Sequence, residues 1–212
     1  MTNILPEVVY TIGDKLPQRS FSKQLNIYTN KETTMKKVLI ISSSPRKNSN
    51  SEALCKAFAE GAVEAGKEAE IVTLRDKTIN FCRGCFACQK TQECVIKDDA
   101  VEICQKALTA DVLVFATPIY YYEMSGQLKT MLDRLNPLYP SDYAFTEVYF
   151  LSSAAEDEDY VPERAVHGVE GWVECFEKAS FAGTVFMGGV TAAGEKPDHP
   201  ALEEAREMGR KC

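Results

Sequence analysis

No stretch of this 212-residue chain approaches the ~18 consecutive apolar residues that a membrane-spanning helix needs. The N-terminus also lacks the charged start and apolar centre of a secretory signal, so the expectation is a soluble, cytoplasmic protein with no membrane partner. Basic stripes and basic tails are missing too: 24 Lys and Arg stand against 31 Asp and Glu, a formal charge of -7. Binding to a phosphate backbone rests on clustered Lys and Arg, which disfavours a nucleic-acid partner. Histidine is scarce, and the contexts of His167 and His199 suggest a loop and a helix start, so neither is given a catalytic role. No Cys is followed by Arg six positions later, which removes the phosphate-cradling Cys-x5-Arg loop of phosphatases. Internal repeats and low-complexity tracts are absent, and nothing divides residues 35–212.

What remains is an ordinary globular balance, with 45% hydrophobic and 26% charged residues. The chain is long enough to bury a substantial core as one domain. Residues 1–34 show no sustained periodicity and precede Met35-Lys36-Lys37, which itself looks like a translation start. They read as a mobile N-terminal extension or a misplaced start, with a short ordered arm around Leu25–Tyr28 as the alternative. Eight cysteines without an export signal are expected to stay thiols rather than form disulfides. Four of them, Cys82, Cys85, Cys88 and Cys94, fall within thirteen residues. The scattered Cys55, Cys104, Cys175 and Cys212 read as small hydrophobes or an exposed terminal thiol.

From residue 35 onward, apolar β-type runs alternate with helical periodicity. Strands are expected at Val38–Ile41, Glu70–Leu74, Asp111–Thr117, Val148–Leu151 and Gly183–Phe186. Helices are expected at Ser51–Ala65, from Asp98 or Asp99 to Thr109, at Ser125–Leu135, at Gly171–Lys178 and from Pro200 onward. Strand alternating with helix implies right-handed crossovers and a doubly wound, five-stranded parallel sheet in a three-layer α/β/α sandwich. In such sheets ligands bind beyond the carboxyl ends of the strands, which singles out the loops after Ile41, Thr117 and Leu151.

The first of these loops, residues 42–51, holds five serines and two asparagines and leads into a helix N-terminus. Free N–H groups and the helix dipole favour an anion there, and a monophosphate suits the hydroxyl donors. An ordinary turn and cap would need only one such residue. The loop has no glycine and no Gly-Lys-Ser/Thr, which disfavours a triphosphate site, and no G-x-G-x-x-G follows the first strand to fix a dinucleotide. The second loop carries Tyr120, Tyr121 and Tyr122, flat amphipathic rings that suit a flavin or serve as plain packing.

Taken together, S-S-P-R-K-N-S-N-S at 43–51, C-R-G-C-F-A-C at 82–88, C-V-I-K-D-D at 94–99, A-D-V-L-V-F-A-T-P-I-Y at 110–120 and M-S-G-Q-L-K-T-M-L-D-R at 124–134 resemble the NADPH-dependent FMN reductase family. The likeness is nearest to its iron-sulfur flavoprotein branch, and it extends over most of residues 36–212. It implies a flavodoxin-like fold whose FMN phosphate is held by Ser44, Ser49, Asn50 and Ser51 with Arg46 nearby, and whose flavin ring lies along Pro118, Ile119, Tyr120 and Tyr121. It also implies a homodimer or higher homo-oligomer, with Trp172, Phe176 and the tyrosine loop as contact candidates or as core. Two departures are small: Ser43 where the family usually has Gly, and Ser51 where it often has Thr. A third is the loop Ser152–Ala155, which is poorer in glycine than expected and is followed by an acidic stretch, Glu156–Asp159.

On this reading NAD(P)H stacks on the bound FMN and passes hydride to it, and a small-molecule or protein acceptor then takes the electrons. A non-enzymatic electron carrier and a cysteine-based metal or redox sensor are the competing readings. The spacing C-x2-C-x2-C-x5-C of Cys82, Cys85, Cys88 and Cys94 supplies the four thiolates that a [4Fe-4S] cluster takes. A structural zinc more often uses two C-x2-C pairs set further apart, and ordinary loop thiols are the third alternative. Asp133 and Arg134 are expected to close a helix or bridge subunits rather than touch substrate.

Overall fold

The computed structural model describes residues 35–212; the expectations placed on residues 1–34 lie outside them. The described part opens with β1 (Lys37–Ser42), α1 (Asn50–Glu64), β2 (Glu68–Thr73), a short α2 (Cys88–Thr91) and α3 (Asp99–Thr109). It continues through β3 (Val112–Tyr120), a two-residue β4 (Glu123–Met124), α4 (Gly126–Arg134) and β5 (Glu147–Ser153). The last elements are α5 (Glu163–Val173), β6 (Ser180–Met187) and α6 (Pro200–Lys211).

The order of the main strands is β2-β1-β3-β5-β6, parallel throughout. This is the flavodoxin-like arrangement, with its topological switch between β1 and β3. The expectation of five strands is corrected to six, because β4 pairs antiparallel with the end of β3. Side chains alternate between the two faces, as the two-residue period of a strand requires. Val38, Ile40, Val112 and Val114 pack under α1 and α6, whereas Leu39, Ile41, Leu113 and Phe115 pack under α3, α4 and α5. Burial on both faces is why β1 and β3 read as continuous apolar runs. Among the described residues no helix is long and apolar enough to cross a membrane.

One helix departs from its expected place. Instead of Gly171–Lys178, α5 occupies Glu163–Val173, with Ala165, Val169 and Val173 buried at i, i+4 spacing. Gly168 and Gly171 interrupt that periodicity in the sequence, and His167 therefore lies within the helix rather than in a loop. Phe176 belongs to the core and the partly buried Trp172 packs against it: Trp172 lies edge-on to Phe115 at 5.3 Å and against Phe176 at 4.4 Å between ring centroids.

The α1/α6 layer depends on close backbone approach. A Cβ added at Gly209 would stand 2.1 Å from the Phe58 carbonyl oxygen, and one at Gly61 only 1.9 Å from that of Arg206. Both obstacles are backbone, so the helices must part to admit a methyl group. Gly209→Ala is expected to cost roughly 1–3 kcal/mol, as overpacked cores do. Gly171→Ala, where a Cβ meets nothing within 4 Å, should instead stabilise the helix by about 0.5–1 kcal/mol. Thermal denaturation of the two variants should move in opposite directions; equal midpoints would contradict the close crossing.

Candidate functional site

The first carboxyl-edge loop is sewn to the neighbouring strand. Ser43 donates both its N–H and its hydroxyl to the Ala116 carbonyl, each at 2.9 Å, and its Oγ accepts from the Ser125 hydroxyl at 2.9 Å. The Ser125 N–H in turn donates to Thr117 Oγ1 at 2.9 Å. These bonds join the ends of β1 and β3 across the switch point. Ser42, Ser43, Ser44, Ser49, Asn50 and Ser51 are all buried, so six small polar residues line the turn into α1.

Within that turn Ser49 is the N-cap of α1, accepting from the Glu52 N–H at 3.2 Å, and its Oγ lies 3.3 Å from that of Ser51. Ser44 Oγ accepts from the Arg46 N–H at 3.3 Å. Asn48 sits at a left-handed φ of 51°, and its N–H reaches the Glu52 carboxylate at 3.1 Å. Arg75, which no sequence motif singles out, donates to the Arg46 carbonyl at 3.1 Å and to Glu52 at 3.4 Å. The first turn of a helix leaves N–H groups without intrahelical partners, and here that turn is rich in buried hydroxyls.

Two of the residues proposed for a phosphate are otherwise engaged. Arg46 extends its guanidinium to the Thr191 carbonyl at 2.7 Å. The Asn50 amide donates to the Ala192 carbonyl at 2.9 Å and accepts from the Gly194 N–H at 3.0 Å. Both thus hold the segment after β6 against the turn.

The second loop is shorter than expected, because β3 runs through Pro118 and Ile119 to Tyr120. Tyr121 and Tyr122 form the tight two-residue turn into β4, with φ of 52° and 66°. Positive φ at both centres is the geometry that usually selects Asn-Gly, so two tyrosines here carry backbone strain of the kind that gathers at ligand sites. Tyr121 is 97% exposed and Tyr120 43%. Tyr122 is turned aside: its hydroxyl donates to Glu156 at 3.1 Å, its ring stacks on Tyr160 at 6.2 Å, and Arg164 lies over it at 5.8 Å. From β5, Ser152 and Ser153 pair alongside Thr117 and Pro118. The Ser152 hydroxyl is buried without a hydrogen-bond partner, beside the strand that carries the tyrosine turn.

The four clustered cysteines occupy the long connection between β2 and α3. All four line one narrow cleft, together with Arg134, Asn136 and Pro137. Cys82 and Cys85 are exposed, Cys94 is half-buried, and Cys88 is buried at the start of α2. The Gly84 N–H approaches Cys82 Sγ at 3.5 Å, and the Asn136 amide donates to Cys88 Sγ at 3.0 Å. Left-handed φ values at Gly84, Phe86 and Gln92 coil the segment. Among the described residues no three His, Cys, Asp or Glu side chains stand close enough together to hold a metal ion. Elsewhere, burial pushes the Cys55 and Cys104 thiols up to about 12. The terminal thiol expected to be exposed, Cys212, is buried, and Cys175 is the exposed one.

Arg134 neither merely closes α4 nor faces another subunit. Its side chain is fully buried and forms a two-pronged pair with Asp98, at 2.7 and 2.8 Å. It also donates to the Asn80 carbonyl at 2.7 Å and the Ile96 carbonyl at 3.0 Å, gripping the cysteine segment on both sides. Burial alone would raise the Asp98 carboxyl; hydrogen bonds from Arg134 and Asn80, with the Arg134 charge, outweigh it and hold the group well below the usual carboxylate range. Asp98 also serves as the N-cap of α3, the one role its sequence position suggested.

Comparison with known proteins identifies the frame. The sequence pattern of NADPH-dependent FMN reductases matches residues 36–156, more than half of the chain. The chain belongs to the NADPH-dependent FMN reductase family. An iron-sulfur flavoprotein of Methanocaldococcus jannaschii is 39% identical over 102 residues, 48% of this chain and 53% of that protein. One from Methanosarcina thermophila is 28% identical over 176 residues, 82% of this chain and 92% of its own length. For several such relatives the match spans about half of the relative. Among solved structures, an azoreductase from Bacillus anthracis superposes with a TM-score of 0.63 at 20% identity, covering 84% of this chain and all of its own. A NAD(P)H:quinone oxidoreductase from Methanothermobacter marburgensis gives 0.62 at 21% identity, over 84% and 96%. At that identity the two structures speak for the fold of this FMN reductase family member.

Proposed function

We propose that this chain is an NAD(P)H-dependent flavoprotein oxidoreductase that carries FMN at the switch point between β1 and β3. The observation that carries the reading is the turn into α1, where five serines and Asn50 are buried and Ser43 joins the end of β3 and Ser125 by hydrogen bonds. Ser44, Ser49 and Ser51 fit a terminal phosphate, with Arg46 and Asn50 supporting it by securing the segment at Thr191–Gly194. Pro118, Ile119, Tyr120 and Tyr121 offer a flat edge for the ring, and the orphaned Ser152 hydroxyl is a polar group in want of a partner beside it. Bound FMN would accept hydride from a nicotinamide and release electrons one or two at a time. The protein's part is to anchor, orient and shield it. The chemistry asks for no proton-transfer triad, and neither histidine supplies one: His199 caps α6 through Nδ1, accepting from the Ala201 N–H at 3.2 Å.

We further infer that Cys82, Cys85, Cys88 and Cys94 are the ligands of a [4Fe-4S] cluster, a reading supported by their spacing and by iron-sulfur flavoproteins among the relatives. The four line one cleft but as they stand do not fit a cluster, no three being close enough to hold a metal, so the segment would have to close around it. Electrons leaving the flavin would pass to a small-molecule or protein acceptor. The exposed tyrosine turn leaves an apolar edge suited to a second copy of the chain in a homodimer or higher homo-oligomer. Anaerobic addition of NADPH or NADH to the yellow holoprotein is expected to bleach the flavin absorbance, with turnover once an acceptor is added. A holoprotein whose flavin is bleached by dithionite but by neither nicotinamide would leave an electron carrier instead.

A further inference from the structure

Glu52 poses an electrostatic problem at the turn into α1. It lies in the first turn of that helix, and its N–H is the one that the Ser49 cap accepts, so a carboxylate stands among the residues assigned to a phosphate. An acidic side chain suits a helix N-terminus by itself, but beside a bound anion the same charge repels. The carboxylate is well engaged. One oxygen accepts from the Asn48 N–H at 3.1 Å, at the residue with the left-handed φ of 51°, and lies 3.4 Å from Arg75 Nη1. The other lies 3.3 Å from Lys56 Nζ, one helical turn on.

Arg75 differs from Lys56 in burial and in what else it holds. Its side chain is 18% exposed against 54% for Lys56, so solvent screens its charge less. The same Nη1 donates to the Arg46 carbonyl at 3.1 Å, within the loop on which the phosphate reading rests. Its place is fixed from β2, because the Leu74 N–H donates to the Ser42 carbonyl at 2.8 Å and ties the end of β2 to that of β1. Its Nε lies 3.6 Å from the mostly exposed carboxylate of Asp76.

We propose that Arg75 is a positioning residue for FMN: it neutralises Glu52 and pins the turn at Arg46, which leaves the serine hydroxyls and first-turn N–H groups to the terminal phosphate. The proposal deepens the FMN reading above and rests on it. Without Arg75 the Glu52 charge acts on the phosphate with only the exposed Lys56 to offset it, and the Arg46 carbonyl loses its donor. Riboflavin carries no phosphate to be repelled, so the effect is confined to the phosphorylated flavin. Removing Glu52 together with Arg75 removes the repulsion along with its remedy.

The test is a double-mutant cycle on full-length apoprotein, with Kd for FMN and for riboflavin measured by fluorescence titration at low and high salt. Arg75→Gln should weaken FMN binding at least tenfold at low salt and less at high salt, with riboflavin unchanged. Glu52→Gln, which keeps an acceptor for the Asn48 N–H, should bind FMN no more weakly than the wild type. The double variant should recover most of the loss, since the two side chains act as a pair. Three results would overturn the role of Arg75 while the FMN site stands: an unaltered ratio of FMN to riboflavin affinity in Arg75→Gln, an equal loss for both flavins, or a double variant no better than the single one. A wild-type protein that binds the two flavins equally would instead remove the phosphate reading, and this role with it.

Discussion

Protein prepared without oxygen and supplied with iron is expected to be brown, with iron and acid-labile sulfide at about four per chain, the content of one [4Fe-4S] centre. Cys88→Ala should abolish that colour almost completely while the yellow of FMN persists. The separation is anatomical. Cys88 sits at the start of α2 in the connection after β2, with its thiol buried and held by Asn136, whereas the proposed flavin site is the turn between β1 and α1 with the end of β3. Losing one of four thiolates removes the cluster, but the hydrogen bonds joining the first loop to β3 do not involve the cysteine segment. Cys175→Ala serves as the control: its thiol is exposed but it lies outside the cleft of the four, so iron content should stay at the wild-type value. Protein made with iron supplied under argon that shows flavin and no iron would leave Cys82, Cys85, Cys88 and Cys94 as ordinary loop thiols.

The elements legible in the sequence were those whose burial leaves a periodic trace. The runs Val38–Ile41 and Val112–Thr117 are buried on both faces, and α1 presents Leu54, Ala57, Phe58 and Ala62 on one side, so pattern and structure coincide. The loop at residues 42–51 was conspicuous through its density of hydroxyls. What escaped notice depends on three-dimensional partners. The extension of β3 to Tyr120 was hidden because Pro118 reads as a break, though a proline at that edge of the sheet loses no needed bond. The turn at Tyr121 and Tyr122 has none of the Gly or Asn that announces such geometry. Arg134 looks like one more helix-terminal cation. Only the fold reveals that it is buried and bound to Asp98, which lies 36 residues earlier. Arg75 and Asn50 are similar, since each closes a contact between segments distant in the chain. The α5 boundary slipped because two glycines diluted its apolar face.

The purified protein is expected to bind FMN far more tightly than riboflavin, which lacks the phosphate. Hydrogen bonds to a charged group contribute about 1.5–3 kcal/mol each. Two such bonds from the turn into α1 amount to about 3–6 kcal/mol, or roughly two to four orders of magnitude in Kd. Fluorescence quenching of each flavin on titration with apoprotein measures the ratio directly. Ser49→Ala then tests the loop from inside. Its hydroxyl caps α1 and lies beside that of Ser51, so the variant should lose about 1 kcal/mol of stability through the cap. It should also lose about tenfold or more in FMN affinity, while riboflavin affinity stays near the wild-type value, because in the proposed site only the phosphate would meet that hydroxyl. An equal loss for both flavins would mean that the substitution acts through the fold. Equal affinity of the wild-type protein for FMN and riboflavin would be more damaging, since buried serines at a helix N-terminus would then serve only to stitch β1 to β3, and the flavin would have to be sought elsewhere on the sheet's carboxyl edge.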